Sequence, residues 1–247
     1  MQAVILAGGR GTRLLPYTVV FPKPMLPVGG QPIIQTIVTQ LAKAGFRDIV
    51  ISLGYLGDMI ELFFREKKNC PAGVQIRYVR ESEPLGTAGA LSLIGDLSEN
   101  FLVVNGDILS SLCYREMYEY HLKKKSILTV AVGRKEVSIN LGVLTLDANE
   151  KVTKFEEKPT YFFSDNMGIY VYSREAVRYL EKNKRTDVNI LIQRLIDDQK
   201  PVYGFRSNEP YYWIDIGQHA EYEKANIEFE KNKEKFVDSQ ERTGSIE

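Results

Sequence analysis

Cysteine, histidine and tryptophan are scarce in this chain: two, two and one among 247 residues. Cys70 and Cys113 have no CxxC spacing and no histidine at metal-ligand distance, and a chain of this size needs no staples. A disulfide scaffold and a zinc site are thereby excluded, and buried or idle thiols in a reducing cytosol are expected. His121 and His219 have no matching ligand partners either, so both are read as surface histidines. An excess of one charge is also lacking, with 32 Lys and Arg against 32 Asp and Glu. A balanced chain has no global positive field to gather nucleic acid or a membrane surface, so a small anionic ligand would be held by a few placed cations. Long apolar runs are missing. The apolar start, Met1 to Ala7, is too short for a signal segment, lacks a basic flank and runs into glycines; no other stretch is long enough to span a bilayer. A cytoplasmic protein is expected. There is no repeat of fixed period, which excludes a β-helix extension, and no Pro/Gly/Ser-rich linker marks a boundary.

What is present is a 44% hydrophobic chain, enough for one large α/β core. Ala3 to Leu6 reads as a buried strand ending in a glycine turn. From Pro32 a helical period places Ile33, Ile34, Ile37, Leu41 and Ala44 on one face, with Gly45 as the stop. Strands at Ile49 to Leu53, around Val74 to Tyr78 and at Phe101 to Val104 alternate with helices at Asp58 to Arg65, Leu85 to Ile94 and Arg115 to Lys124. This order predicts a mostly parallel, Rossmann-like sheet flanked by helices. Later the strand candidates Ile127 to Val132, Gly142 to Leu146, Val152 to Glu156 and Gly168 to Tyr172 follow with fewer helices between them, so antiparallel or mixed strands are expected there. Helices recur at Arg174 to Lys182 and Thr186 to Asp198, and strand candidates lead to Tyr211 to Asp215. The tail from Glu228 is rich in Glu, Lys and Asn and reads as a solvated, fraying helix.

The loop Leu6-Ala7-Gly8-Gly9-Arg10-Gly11-Thr12-Arg13 sets three glycines directly after a strand, where backbone N–H groups can converge on phosphate oxygens. It is neither a dinucleotide fingerprint, since Leu14 stands where the third glycine is needed, nor a Walker A loop, since no Gly-Lys-Ser/Thr follows. An ordinary strand-to-helix turn explains the glycines alone equally well. Arg13 and Lys23 add to them. Arg13 offers a planar fork of donors, and Lys23 is clamped between Pro22 and Pro24, which limits the entropy lost when its ammonium is aimed.

At this point Leu6 to Val28, LAGGRGTRLLPYTVVFPKPMLPV, resembles the signature of the sugar-1-phosphate nucleotidylyltransferases. The resemblance implies a Rossmann-like fold with Leu6, Ala7, Gly8, Gly9, Gly11 and Thr12 around the nucleotide, Arg13 on the pyrophosphate and Lys23 near the α-phosphate. Glu81 to Ala90, ESEPLGTAGA, is similar to the family's base-reading loop and implies Glu83, Pro84, Gly86 and Thr87 as nucleobase contacts; a plain helix start explains this segment alone as well. Asp107 in VVNGDIL follows a buried strand, where ligands bind in open α/β sheets, and Asp215 in WIDIG also ends a strand candidate. The resemblance assigns this pair to Mg²⁺. FEEKP, with Glu157 and Lys158, resembles the sugar box, although on its own it reads as a solvated strand end. Asn166 and Gly168 in NMGIY, and Gly142 in NLG, complete the sugar side. Leu141, Met167 and Gln218-His219 depart from the family's usual residues, and all of these touch the sugar side.

The resemblance covers about residues 1–226 with its motifs in family order. It implies a nucleotide-binding part over about 1–110, a sugar-binding part over about 111–227 and a charged tail over 228–247. It further implies in-line attack of a sugar 1-phosphate on the α-phosphorus of a nucleoside triphosphate, with Arg13, Lys23, Asp107, Lys158 and Asp215 as the catalytic set. The base loop is most similar to the branch that takes GTP with mannose- or heptose-type sugars; UTP, CTP and dTTP stay open. A silent nucleotide-sugar regulatory subunit is the rival, opposed by the full set of charged residues. A glycosyltransferase would need a DxD motif after a strand, and none stands there. A dimer or tetramer is expected by analogy.

Overall fold

The computed structural model describes residues 1–238. Four parallel strands begin the fold: β1 (Gln2–Ala7), β4 (Asp48–Leu53), β5 (Gln75–Arg80) and β6 (Asn100–Asn105), with the two-residue strands β2 (Pro27–Val28) and β3 (Gln31–Pro32) forming a small hairpin between the first two. The remaining strands are β7 (Ile108–Ser110), β8 (Leu128–Ser138), β9 (Val143–Leu146), β10 (Val152–Glu156), β11 (Thr160–Ser173), β12 (Val202–Phe205) and β13 (Trp213–Asp215). Seven of them make one sheet in the order β12-β8-β11-β6-β1-β4-β5, in which only β11 runs against its neighbours. The expected mostly parallel sheet flanked by helices is present, and the change of character in the second half resolves into that single reversed strand plus two small outlying sheets.

Alternation along the strands explains the three layers. Ala3, Ile5, Ile49, Ile51, Leu102 and Val104 face one apolar layer, while Val4, Val50, Phe101 and Val103 face the other. The helix Ile33–Lys43 fills the first layer with Ile33, Ile34, Ile37, Val38 and Leu41, all without solvent exposure. At about 2 kcal/mol per aliphatic side chain, this stripe contributes on the order of 10 kcal/mol of transfer free energy, taken against an extended chain. Helices Val188–Asp197 and Gly86–Gly89 cover the opposite face through Leu191, Leu195 and Ala88.

Three expectations are corrected. The helix expected over Leu85 to Ile94 is a single α turn, Gly86–Gly89, followed by a 3-10 turn, because the N–H groups of Ala88 and Gly89 donate to the Thr186 carbonyl rather than continuing a regular ladder. The helix expected over Arg174 to Lys182 stops at Val177. The tail expected to be solvated from Glu228 instead buries Phe229 and Phe236, whose rings stack at 5.4 Å, and Gln40 donates to the Phe236 carbonyl at 2.6 Å. Residues 239–247 of that tail lie outside the described residues. No helix among the described residues is long and apolar enough to cross a membrane.

His121 is not a surface residue either. It is 1% exposed, with Nδ1 2.9 Å from Thr129 Oγ1 and Nε2 3.1 Å from Asn100 Oδ1, and burial pushes its imidazole down to about 4. The neutral ring satisfies both partners, with Nε2–H donating to the amide oxygen and Nδ1 accepting from the hydroxyl. Because the folded value lies below the unfolded one of about 6.5, the unfolded chain binds more protons between these values, so stability is lost as pH falls through that window. Urea titrations at pH 7 and pH 5 are expected to differ by about 2 kcal/mol through this group, and His121→Gln is expected to remove most of that difference. An unchanged pH slope in the variant would show that His121 is not the titrating group.

Candidate active site

The parallel strands place their carboxyl ends side by side: Ala7 pairs with Leu53, Leu53 with Arg80, and Leu6 with Asn105. Strand order reverses at β1, with β4 on one side and β6 on the other, and open α/β sheets bind ligands at such a point. A cleft of about 270 Å³ opens here. Of the residues expected to hold a nucleotide, Leu6, Ala7, Gly8, Gly9, Lys23, Pro84, Gly86, Thr87 and Asp107 line it. Gly11 and Thr12 form the turn that follows, with Gly11 at φ +64° and its carbonyl accepting from Leu14 N–H at 2.9 Å and Thr18 Oγ1 at 2.9 Å. This left-handed position is one that glycine adopts freely.

At one end of the cleft lies a charge cluster. The buried Lys23 ammonium is ion-paired with Asp107 and stands 4.0 Å from Asp215 Oδ1. Backbone pairing brings the two acids together: β13 runs antiparallel to β7, Asp215 is opposite Ile108, and Ile216 N–H donates to the Asp107 carbonyl at 3.1 Å. Partial desolvation and the Asp107 charge push the Asp215 carboxyl up, against the pull of Lys23 and Arg13. Arg13 lines a neighbouring depression of about 580 Å³ with Asp215, and the Arg13 guanidinium and the Asp215 carboxylate flank Gly217. Among the described residues, no cluster of three or more His, Cys, Asp or Glu could enclose a metal ion. Two carboxylates already sharing one cation, open to further oxygen ligands, do suit Mg²⁺, which is bound through one or two carboxylates with substrate phosphates and water completing its shell.

The other end of the cleft is set by Glu81, not by Glu83, the acid that the resemblance implies. Glu81 Oε1 accepts from Ser52 Oγ at 2.9 Å and Oε2 from Leu85 N–H at 2.9 Å. Its carboxylate occupies the space where a Cβ on Gly8 would stand, so a side chain at position 8 would have to displace Glu81. Glu83 is exposed and lines an outer recess with Arg10 and Tyr55. Glu81 directly follows β5, and the rule that ligands sit at the carboxyl ends of strands would have selected it.

Two further lining residues were missed. Asn105 ends β6, and its buried Oδ1 has no hydrogen-bond partner. Arg185 belongs to a loop tied to the cleft wall: Thr186 N–H donates to the Leu85 carbonyl at 2.8 Å, and Val188 N–H to Thr87 Oγ1 at 2.9 Å. No local pattern marks Arg185, because its surroundings read as an ordinary charged surface run.

The residues expected on the sugar side are more dispersed. Gly168 lies beside the Asn105 side chain, and its N–H donates to Asn166 Oδ1 at 2.9 Å, so this turn adjoins the cleft. Gly142 lies against the Phe155 ring and the Glu157 carboxylate on the outlying β9–β10 ribbon. Glu157 and Lys158 are exposed, and neither lines the cleft or the depression beside Arg13.

With this geometry in hand, comparison with known families is decisive: residues 2–232 match the nucleotidyl transferase family model. The chain belongs to the nucleotidyl transferase family. Among the relatives of this family member is the UTP–glucose-1-phosphate uridylyltransferase of Synechocystis sp., 31% identical over 245 residues, covering 91% of this chain and 62% of the relative. The mannose-1-phosphate guanylyltransferase catalytic subunit beta of Danio rerio is also 31% identical, over 229 residues, covering 90% of this chain and 62% of the relative. The chain thus spans about 62% of the length of these relatives. A crystal structure of HddC from Yersinia pseudotuberculosis complexed with GMP-PN matches with a TM-score of 0.68 at 29% identity, covering 92% of this chain and 99% of that one.

Proposed function

We propose that this nucleotidyl transferase family member moves a nucleoside monophosphate from a nucleoside triphosphate onto a sugar 1-phosphate and releases pyrophosphate. The observation that carries the reading is the charge cluster at one end of the cleft, where Lys23 sits between Asp107 and Asp215. Residues of about 1–110 supply the glycine loop, Lys23 and Asp107, and residues of about 111–227 supply Asp215 and the sugar side, with Gly142, Glu157, Lys158, Asn166 and Gly168 as its contacts.

An oxygen of the sugar phosphate attacks the α-phosphorus in line, the bond to the β-phosphate breaks, and pyrophosphate leaves with that bridging oxygen. Both reactants are anions, so the chain's main tasks are to hold them together and to balance their charge. Backbone N–H groups of the glycine loop cradle the phosphates, Lys23 neutralises charge near the α-phosphate, and Arg13 faces the departing pyrophosphate. Mg²⁺ held by Asp107 and Asp215 would supply Lewis-acid neutralisation of phosphate oxygens. Oriented groups supply roughly 7 to 11 kcal/mol by effective molarity, so no dedicated general base is required.

Guanine is favoured because Glu81 presents an acceptor carboxylate at the end of the cleft away from the acids. Each of its oxygens takes one hydrogen bond within the protein and keeps a lone pair, and guanine offers two parallel donors, N1–H and N2–H. The family relative complexed with GMP-PN adds support. Equal identity to uridylyl and guanylyl relatives leaves UTP as the competing base, and a mannose- or heptose-type sugar is the favoured acceptor.

The direct test is to incubate the chain with each nucleoside triphosphate, Mg²⁺ and a panel of sugar 1-phosphates while measuring pyrophosphate. Release is expected to be fastest with GTP. No release with any pair, with nucleotide-sugar binding retained, would make the protein a regulatory sensor instead. Arg185 provides a second check, since among the described residues it is the only cation other than Lys23 lining the cleft. Arg185→Ala is expected to raise KM for the nucleotide about 10-fold, the loss of one exposed charge-assisted contact, with little change in kcat. An unaltered KM would place the guanidinium outside the bound complex.

A further inference from the structure

Helix His219–Lys231 begins just after β13, the strand that ends in Asp215. Its positions 219, 222, 226 and 229 are spaced three and four apart and therefore share one face. That face closes over the segment from Leu15 to Gly29, which carries Lys23. His219 Nε2 lies 2.9 Å from the Leu15 carbonyl, the Tyr222 hydroxyl donates to the Pro27 carbonyl at 2.7 Å, and Asn226 Oδ1 accepts from Gly29 N–H at 3.4 Å. The Phe229 ring occupies the space where a Cβ on Gly29 would stand. One helix thus ties down both ends of the segment.

The two ends are not held alike. Tyr222, Asn226 and Phe229 share the far end, whereas the near end rests on His219 and on the Tyr17 ring, whose centroid is 5.5 Å from the imidazole and 5.9 Å from the Tyr222 ring. A carbonyl only accepts, so Nε2 carries the proton of the His219 bond to Leu15. Packing adds little here, because Leu15, Val19 and Val20 are each at least half exposed. The exposed Arg13 stands on the 3-10 turn Thr12–Leu14, directly before Leu15. At its entry that turn is fixed by Leu14 N–H and Thr18 Oγ1, both donating to the Gly11 carbonyl at 2.9 Å. At its exit the Leu15 N–H reaches the Thr12 carbonyl at a long 3.5 Å, and the bond from His219 supplies the stronger tie.

We propose that His219 is a positioning residue for Arg13: by holding the Leu15 carbonyl to the helix that follows Asp215, it sets the guanidinium against the Asp215 carboxylate for pyrophosphate. The inference rests on the transferase reading, which supplies pyrophosphate as the ligand. The two groups already meet at Gly217, where Arg13 Nη1 and Asp215 Oδ1 are each 3.6 Å from the place a Cβ would take. These groups arrive from opposite ends of the chain, and the His219 bond spans 204 residues to join them. An exposed arginine has many rotamers, so the position of its backbone decides what its planar fork can reach. His219 follows Gly217 in a stretch expected on the sugar side, yet its imidazole turns toward the glycine loop and serves the leaving-group side.

Calorimetric titration of the full chain with inorganic pyrophosphate in the presence of Mg²⁺ tests this. His219→Ala is expected to raise the dissociation constant about 10-fold, and His219→Phe to do the same, because a phenyl ring keeps the contact with Tyr17 and lacks the donor. His219→Gln is expected to stay within about 3-fold of wild type, since its amide N–H can take the place of Nε2–H. Arg13→Ala is expected to weaken binding at least as much as His219→Ala, and adding His219→Ala to it is expected to cost less than about 2-fold more, as action through Arg13 requires. In the reverse reaction, pyrophosphate attacks the nucleotide sugar and releases the sugar 1-phosphate. There the KM for pyrophosphate is expected to rise about 10-fold in His219→Ala, with the KM for the nucleotide sugar and the melting temperature little changed. Wild-type affinity in His219→Ala, a glutamine variant as weak as the alanine one, or losses that add in the double variant would overturn the proposal. So would a wild-type chain that binds no pyrophosphate. A chain that shows the expected binding pattern but turns over no substrate pair would uphold His219 as the positioning residue and sink the transferase reading.

Discussion

Asp107→Asn is expected to reduce kcat/KM for pyrophosphate release by about 1,000-fold while the melting temperature changes little, the loss of about 4 kcal/mol of transition-state stabilisation. The change is nearly isosteric, and the Asn oxygen can still accept from Lys23, so packing around β7 is preserved. What disappears is one of the two negative charges that face each other across Lys23. Asp215→Asn is expected to have an effect of similar size. If the two acids act as one cation site, the double variant should be scarcely worse than either single one, because removing half of a unit removes its function. Full single-turnover and steady-state rates at saturating Mg²⁺, measured beside thermal melts, separate this from unfolding. Activity within 10-fold of wild type in Asp107→Asn would remove the acid pair from the chemistry.

Glu81→Gln is expected to lower kcat/KM with GTP by about 100-fold and with UTP by less than about 10-fold. A glutamine presents one acceptor and one donor where guanine presents two donors, so one charge-assisted hydrogen bond is lost and a donor faces a donor, together worth about 3 kcal/mol. The amide keeps the shape of the carboxylate, and its oxygen can still accept from Leu85 N–H. Glu83→Gln, on the exposed outer recess, is the matched control and is expected to change neither substrate by more than about 3-fold. Equal losses for GTP and UTP in Glu81→Gln would mean that Glu81 braces the loop and does not read the base.

The contrast between these two glutamates shows what the sequence made legible. Patterns confined to a short segment were readable: the strand that ends in Gly8 and Gly9, the proline-clamped Lys23, the amphipathic face of Ile33–Lys43, and the placing of Asp107 and Asp215 at strand ends. Features decided by distant partners were not. Arg185 reaches the cleft only because Thr186, Asp187 and Val188 bond to the segment from Leu85 to Gly89 across about a hundred residues. His121 looks like a solvated helix residue until Thr129 and Asn100 close over it. The helix expected over Leu85 to Ile94 is curtailed by the same Thr186 carbonyl, a tertiary acceptor that overrides local propensity. Phe229 and Phe236 were hidden by the Glu and Lys residues around them, which the charge pattern weighted more heavily than two rings seven positions apart.

The pairing of β7 with β13 has a consequence for synthesis on the ribosome. Strands β1, β4, β5 and β6 are all complete by residue 105, so the glycine loop and Lys23 can be in place while more than half of the chain is still to be made. Asp107 would then face solvent with only Lys23 to balance it, and its acidic counterpart arrives when the last strand docks more than a hundred residues later. A nascent chain therefore presents a half-built ion cradle, and the complete one exists only after the late strand β13 has been zipped onto the mid-chain strand β7 through main-chain bonds.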